Sequence, residues 1–470
     1  MGVGFSSYDI ARSGMIVNER SLHVTGHNIA NVNTPGYVRQ QAMIADSFYT
    51  GILGDRFRVG FGASIQEIRQ IRYEFLDTLY RQENTTLGYL DAKAETFSNI
   101  EEILSEPMRD GLQSMMNGFW DSWQELAKEP NSLTARALVR QRADVLVNHI
   151  NHIGEQLNKL QEDLDTEIRV RVNEVNNLLY DLAKLNADIL RAETAGDTAN
   201  DYRDRRNLLL DRLSELVDVD ITEMLDGQVS VMSGGYFLLN KTDVSPLYVE
   251  VDSKKKTFYN PIIKELNVEV PLQNGILKGL IESRDEILPD IKNRLNTVVN
   301  AMISKVNEYH SSGQTLGGKD GADFFVAIDP TMPVGMCNIR LNSNLVDLNN
   351  IVSSSDGTSG NNVVAYQVAN LRNQVLISAA EGELSIDDYY NAIILYVGHE
   401  GASLKSAAEN QRTLVNAAES NRQSVMAVSL DEEMANMIKF KFAYNASSRT
   451  INVVDQMIDT IISKMGVIGR

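Results

Sequence analysis

Residues 6–32 read SSYDIARSGMIVNERSLHVTGHNIANV, and residues 429–465 read SLDEEMANMIKFKFAYNASSRTINVVDQMIDTIISKM. In the first stretch an apolar residue returns every seventh position, at Tyr8, Met15, Leu22 and Ile29. Three residues after each stand the smaller Ala11, Asn18, Thr25 and Val32. In the second stretch Leu430, Met437, Tyr444, Ile451, Ile458 and Met465 recur at the same interval, with Glu433, Phe440, Ser447, Val454 and Ile461 three further on. A seven-residue repeat on two positions makes a coiled-coil seam, narrower than the face that a helix buries in a globular core. Each stretch therefore needs a partner. The two ends of one chain can serve each other, as an antiparallel coiled coil if both lie at one pole of the molecule; a homotypic coiled coil is the alternative.

The flanks agree with that reading. Asn33-Thr34-Pro35-Gly36 stops the first helix, because Pro35 drives Thr34 out of helical geometry and Gly36 permits a turn. Ser429 and Glu432 have the spacing of a capping box at the start of the second. At about 1.5 Å per residue the helices span roughly 40 and 50 Å.

Between the ends the periodicity is mostly helical. Gly111 to Lys128 carries Phe119, Trp120 and Trp123 as core anchors. A long helix runs from about Leu133 to Ala195 on a seam of Leu146, Ile150, Ile153, Leu157, Leu160 and Leu164, then Val175, Leu178, Leu182, Leu185 and Ile189, interrupted by Glu167 and Arg171. Gly196-Asp197 bends the chain before a further helix at about 202–217. From Val219 the period drops to two, and Ser233-Gly234-Gly235 supplies a hairpin turn. Helix returns at about 279–309, interrupted by Pro289; residues 311–362 read as loops with short strands, and helix resumes from Val363 and again over 387–425. The expected fold is mainly α with a β-rich insertion: terminal helices paired as an antiparallel coiled coil, a long-helix bundle and a small β domain. The expected division is 1–50 plus 429–470 for the terminal assembly domain, 51–216 plus 273–310 plus 363–428 for the bundle, and 217–272 plus 311–362 for the β-rich region.

Composition narrows the function. Acidic residues number 63 against 44 basic, a formal net charge of −19. The densest basic run, Lys254-Lys255-Lys256, reads as a solvated hairpin turn. Neither nucleic acid nor an anionic membrane is an expected partner. No apolar stretch approaches the length of a membrane span, and the first residues lack the pattern of a cleavable signal peptide. The single cysteine, Cys337, excludes a disulfide framework within the chain.

Candidate chemistry is sparse. His23 and His27 lie four apart, as zinc ligands on a helix can, but Val24-Thr25 stand where HExxH carries its glutamate, and no third ligand is evident. His149 and His152 read as the solvated flank of the long helix. The stretch Gly313 to Lys319 approaches the phosphate-loop pattern but ends on Asp320, where the pattern needs a hydroxyl. Asp204 and Asp211 have no evident partner for acid–base work. No catalytic, metal or cofactor site is expected.

What remains specific borders the two seams. His27-Asn-Ile-Ala-Asn-Val-Asn-Thr-Pro-Gly-Tyr37, carrying Asn28, Ala30, Asn31, Thr34, Pro35, Gly36 and Tyr37, resembles the N-terminal signature of flagellar rod, hook and hook-associated proteins. Val38-Arg39-Gln40-Gln41 narrows the likeness to the family of the hook–filament junction. Ser429 to Ser447 resembles that family's C-terminal signature, with Lys441 where Gln is commoner. Interior stretches are also similar: Gly118 to Leu126 with Pro130 and Arg136, Asn200 to Arg206, Asp226 to Val231, and Asn307 to Gly313. Tyr202 and Arg205 depart from the commoner Leu and Gln.

The resemblance implies a secreted axial structural subunit at the hook–filament junction, exported through the flagellar type III channel without a cleaved signal. It implies a hook protein and a second junction protein as neighbours, an export chaperone on the C-terminal segment, and self-association in a ring. The ten seam residues from Tyr8 to Met465 are then its assembly interface. A hook or rod subunit, a cytoplasmic coiled-coil regulator, and an enzyme hidden in the middle segment are the competing readings.

Overall fold

The computed structural model describes residues 3–47, 49–52, 57–104, 111–196, 198–251, 258–263, 268–379 and 382–465. Helix α1 (Val3–Ala30) leads into four strands, β1 (Gln40–Asp46), β2 (Tyr49–Ile52), β3 (Phe57–Gly60) and β4 (Ala63–Gln70). Helices α2 (Glu74–Leu104), α3 (Leu112–Lys128), α4 (Leu133–Thr194) and α5 (Asn200–Leu216) follow. Next come β5 (Asp220–Glu223), β6 (Val229–Ser233), β7 (Tyr236–Asn240), β8 (Asp243–Val244), β9 (Leu247–Val251), β10 (Tyr259–Ile263) and β11 (Val268–Glu269). The chain closes with α6 (Ile276–Glu282), α7 (Leu288–Ser312), α8 (Val363–Ala369), α9 (Ile386–Met426) and α10 (Leu430–Met465).

Helix α4 is the spine. Ser132 caps it by accepting from Ala135 N, and Gly196 at φ +86° turns the chain out at its far end. Its buried seam does not break at Glu167 and Arg171. These pair with each other on the flank at 3.1 Å, while Ile168 and Val172 carry the seam beneath them. The phase then passes through Leu179, fully buried, rather than through Leu178. Two four-residue steps, Leu164 to Ile168 to Val172, keep the stripe on one side of a helix whose true period is 3.6. Phe119, Trp120 and Trp123 are buried as the sequence predicts, and Phe324 and Phe325 join their cluster.

Two small antiparallel sheets, in the orders β5-β6-β7-β8 and β11-β10-β9, lie against α4. Asn186 fixes the first by donating to the carbonyls of Val229 and Lys241 at 2.8 and 2.6 Å. Asn176 fixes the second by exchanging two 2.8 and 2.7 Å bonds with the Leu247 backbone. The β6–β7 turn uses Gly234 and Gly235 at φ +54° and +86°, the two positive values a tight hairpin needs. The Lys254–Lys256 turn and Asp197 lie outside the described residues.

The interruption around Pro289 is a π-helical turn over Ser283–Ile287. It drops the fully buried Arg284 between Asp165, at 2.7 Å, and Asp285, at 2.9 Å, so the charge is paired where it is desolvated. The loop-rich 311–362 stretch is pinned from α7. Asn307 holds the backbone of Phe324 and Phe325, and His310 bridges Ala322 O and Val352 N. Gly313 to Asp320 forms a bridged turn in this stretch rather than a strand-to-helix phosphate cradle.

Candidate functional site: the paired chain ends and their polar collar

Helix α1 packs along α10 on one side and against β1 and β4 on the other. The direction of the helix pair follows from its contacts. Asn28 donates to Glu433 at 3.2 Å, and a side chain on Gly14 would meet Ser447 Oγ at 3.0 Å. Descending α1 from 28 to 14 thus matches ascending α10 from 433 to 447, two heptads in opposite directions. The helices run antiparallel.

The buried positions of α1 are small or polar: Ala11, Val17, Ser21, Thr25 and Asn28. The bulky stripe sits at the margin, with Met15, Leu22 and Ile29 half-buried and Tyr8 exposed. On α10, Met437, Tyr444, Ile451 and Ile458 are half-buried, Val454 and Glu433 are buried, and Leu430 is exposed. The Met465 side chain lies outside the described residues. A second apolar stripe on α10 faces solvent: Met434, Ile438 and Phe442, one turn apart, are each more than half exposed, Phe442 at 69 %. Met457 and Ile461 are also more than half exposed, where α10 reaches and passes the first described residues of α1. Heptad counting alone passes over Met434, Ile438 and Phe442, because they lie four apart and fall between the seam positions, whereas Ile461 is itself a seam position.

At the bundle end of the pair is a buried polar node. The Asn28 side chain, 1 % exposed, uses all four of its hydrogen-bonding positions. Its amide donates to Gln40 O at 2.9 Å and to Glu433; its carbonyl accepts from Tyr37 OH at 2.8 Å and Gln40 N at 3.0 Å. Arg39 closes the node with 2.8 Å to Glu433 and 2.5 Å to Glu432. Tyr37 OH also contacts His27 Nδ1 at 3.0 Å. Burial and the nearby carboxylates raise the Tyr37 phenol well above its ordinary range, so it stays a donor. Gly36 supplies the positive φ of +77° that turns this loop onto Leu208. Ala30, Thr34, Pro35 and Gly36 are exposed, and Asn31 caps the helix end by donating to His27 O at 3.0 Å.

A second ring of polar contacts joins this unit to the bundle at the start of α5. Asp204 accepts from Val38 N at 3.2 Å and from Gln70 at 2.6 Å, and Asn200 donates to Ile68 O at 2.8 Å. Burial pushes the Asp204 carboxyl up to about 7. Asp211 pairs with Arg81 at 2.7 Å and Arg422 at 2.5 Å, which ties α2, α5 and α9 together. Both carboxylates therefore have partners that sequence reading could not supply. Arg39 and Glu433 likewise emerge only from the fold, since 394 positions separate them.

His27 faces Asp201 at 3.7 Å, and among the described residues no group of three or more His, Cys, Asp or Glu side chains could hold a metal ion. His149 is half-buried and His152 exposed. No helix is long and apolar enough to cross a membrane, among the described residues.

Comparison with known proteins gives three concordant likenesses. Residues 97–325 match the family described as the flagellar hook-associated protein FlgK helical domain. Residues 9–37 match the flagella basal body rod protein family, and 419–464 the flagellar basal body rod FlgEFG protein C-terminal family. Flagellar hook-associated protein 1 of Bacillus subtilis (strain 168) is 32 % identical over 505 residues, spanning 99 % of each chain. That of Escherichia coli (strain K12) is 23 % identical, spanning 96 % of this chain and 98 % of its own. The flagellar hook junction protein FlgK from Burkholderia pseudomallei shares the fold, with a TM-score of 0.65 at 13 % identity over 75 % of this chain and all of that one.

Proposed function

This chain belongs to the flagellar hook-associated protein 1 family, and we propose that it builds the hook–filament junction through its two chain ends. The terminal matches are to rod-type families, whereas the interior match is to the hook-associated helical domain. The interior therefore distinguishes a junction subunit from a hook or rod subunit. Its relatives are structural proteins of the flagellum, and a structural role without catalysis is the reading for this chain.

The observation that carries the proposal is the second apolar stripe of α10. A helix already packed on α1 has no intramolecular use for Ile438 or Phe442 in solvent. Exposed apolar surface of this kind marks an interaction site, and copies of the same helix pair arranged in a ring would cover it. In this reading α1 and α10 form a coiled coil, the seam residues hold the pair, and the outward stripe joins neighbours. The terminal unit corresponds to residues near 1–50 and 429–470, the bundle and β-rich region standing outside it. The hook protein and a second junction protein are its axial neighbours, and a chaperone holds the C-terminal segment until a type III channel exports the chain.

A strain lacking this protein should still make hooks while shedding filament protein into the medium. Filaments that remain attached, or an absence of hooks, would remove the junction role.

A further inference from the structure

A cleft of about 960 Å³ opens where the terminal unit meets the bundle, between β4, α2, α5 and β5. Strand β5 is the edge of its four-stranded sheet and forms one wall. The direction of its backbone groups can be worked out. Met224 N donates to Gln228 O, which makes 224 and 228 a hydrogen-bonded pair in line with the β5–β6 register. Such pairs alternate in an antiparallel ladder, so Thr222 and Asp220 face β6 while Ile221 and Glu223 present N–H and C=O to the opposite side. Among the described residues no strand and no backbone hydrogen bond takes up that outer side of β5. On the facing wall, by contrast, Asn200 already takes the Ile68 carbonyl.

The charges of the cleft are unequal. Arg72, Arg81, Arg203 and Arg206 are matched by Asp77, Asp211, Glu193 and Glu223. Glu67, Asp218 and Asp220 have no cationic partner among the described residues, against one unpaired cation, Arg69. Burial and repulsion from Asp220 raise the Asp218 carboxyl, the response of an acid that lacks a counter-charge.

We propose that this cleft is a docking site for an extended, lysine- or arginine-bearing segment of a partner protein, which adds as a strand to the outer edge of β5. Main-chain bonds to Ile221 and Glu223 supply the pairing, and basic side chains on the segment meet Asp218, Asp220 and Glu67. Four paired residues span about 13 Å, so the contact is short and its affinity modest. The partner joins the molecule at its waist, away from the α10 stripe.

The test titrates the purified full chain with two labelled heptapeptides, Thr-Lys-Val-Lys-Val-Lys-Thr and its glutamate counterpart, while following residue-resolved amide exchange. Saturable binding of the lysine peptide alone is expected, with new protection at Ile221 and Glu223 but little change at Thr222. Ile221→Pro removes an outward N–H without breaking the β6 ladder and should weaken binding at least tenfold. Asp218→Asn with Asp220→Asn should do the same through charge, which keeps the proposal testable if the proline variant does not fold. Equal binding of both peptides, or binding that both sets of variants leave unchanged, would overturn the proposal. So would concentration-dependent self-association lost in Ile221→Pro without peptide binding, which assigns the edge to a second copy.

Discussion

Asn28 is one side chain whose four hydrogen bonds join α1, the loop after it and α10. Its removal in Asn28→Ala leaves Glu433, Tyr37 and the Gln40 backbone short of partners inside a buried node. Each orphaned polar group costs about 1–3 kcal/mol, so the variant should loosen the α1–α10 pair by about 3 kcal/mol. Amide exchange along residues 6–32 and 430–465 would show this as faster exchange there with the bundle unaffected. An unchanged exchange pattern would deny Asn28 that role. His310 makes a pH-dependent claim. It is fully buried, its Nδ1–H donates to Ala322 O, its Nε2 accepts from Val352 N, and burial lowers its pKa to about 4. The unfolded chain holds more protons than the folded one between about 4 and 6.5. The stability that His310 contributes is therefore present above pH 6.5 and falls away toward pH 4, by on the order of 3 kcal/mol. Asp204, raised to about 7, acts in the opposite sense and loses stability as pH rises through that value. A global melting temperature mixes the two. Exchange at Val352 isolates the first, and its pH slope should flatten in His310→Gln.

At the scale of elements, the two faces of α10 predict two phenotypes. Ile451→Asp puts a charge on the half-buried face toward α1 and should open the pair by about 2 kcal/mol, a typical penalty for an unpaired polar group at such a site. Phe442→Asp lies on the face in solvent and should leave the isolated chain as stable as before while still blocking incorporation into flagella. Thermal unfolding and flagellar fractionation of both variants would separate the faces; loss of monomer stability in Phe442→Asp would merge them. The heptads made α10 legible, since period seven marks positions that meet a close-packed partner helix. On α1 the same count gave the bulky Tyr8, Met15 and Leu22 and, three residues on, the smaller Ala11 and Thr25; the buried positions are Ala11 and Thr25, with Ser21 outside the count. Bulk attracts the eye in a sequence, but helices that approach closely bury small side chains. The strands over 40–70 were not legible, because Gln40–Asp46 and Ala63–Gln70 have one exposed face and one only half-buried, and carry little apolar alternation. Nor was the π-helical turn at 283–287, which is set by Arg284 reaching Asp165 from another helix.

At the scale of the whole molecule, the polar waist around α5 and the apolar stripe of α10 assign different work to different parts. The waist joins two units through amides and carboxylates, contacts that specify orientation more than they add stability. The bundle carries the large aromatic and aliphatic core, to which α1 and α10 contribute no buried residue. Family signatures sit where partners from elsewhere in the sequence meet: Arg206 reaches Gly227 O at 2.5 Å, and Arg136 reaches Ser353 at 2.8 Å. These pairings were visible in the sequence only as familiar words, since no local pattern says which loop an arginine will hold. We propose that copies assemble at the junction through the outward stripe of α10. This is tested most directly by complementing a deletion strain with Phe442→Asp and measuring filament protein shed into the medium against that attached to cells. Intact hooks, a folded and secreted variant, and filament protein found almost wholly in the medium are expected. Filaments attached at the wild-type level would contradict it.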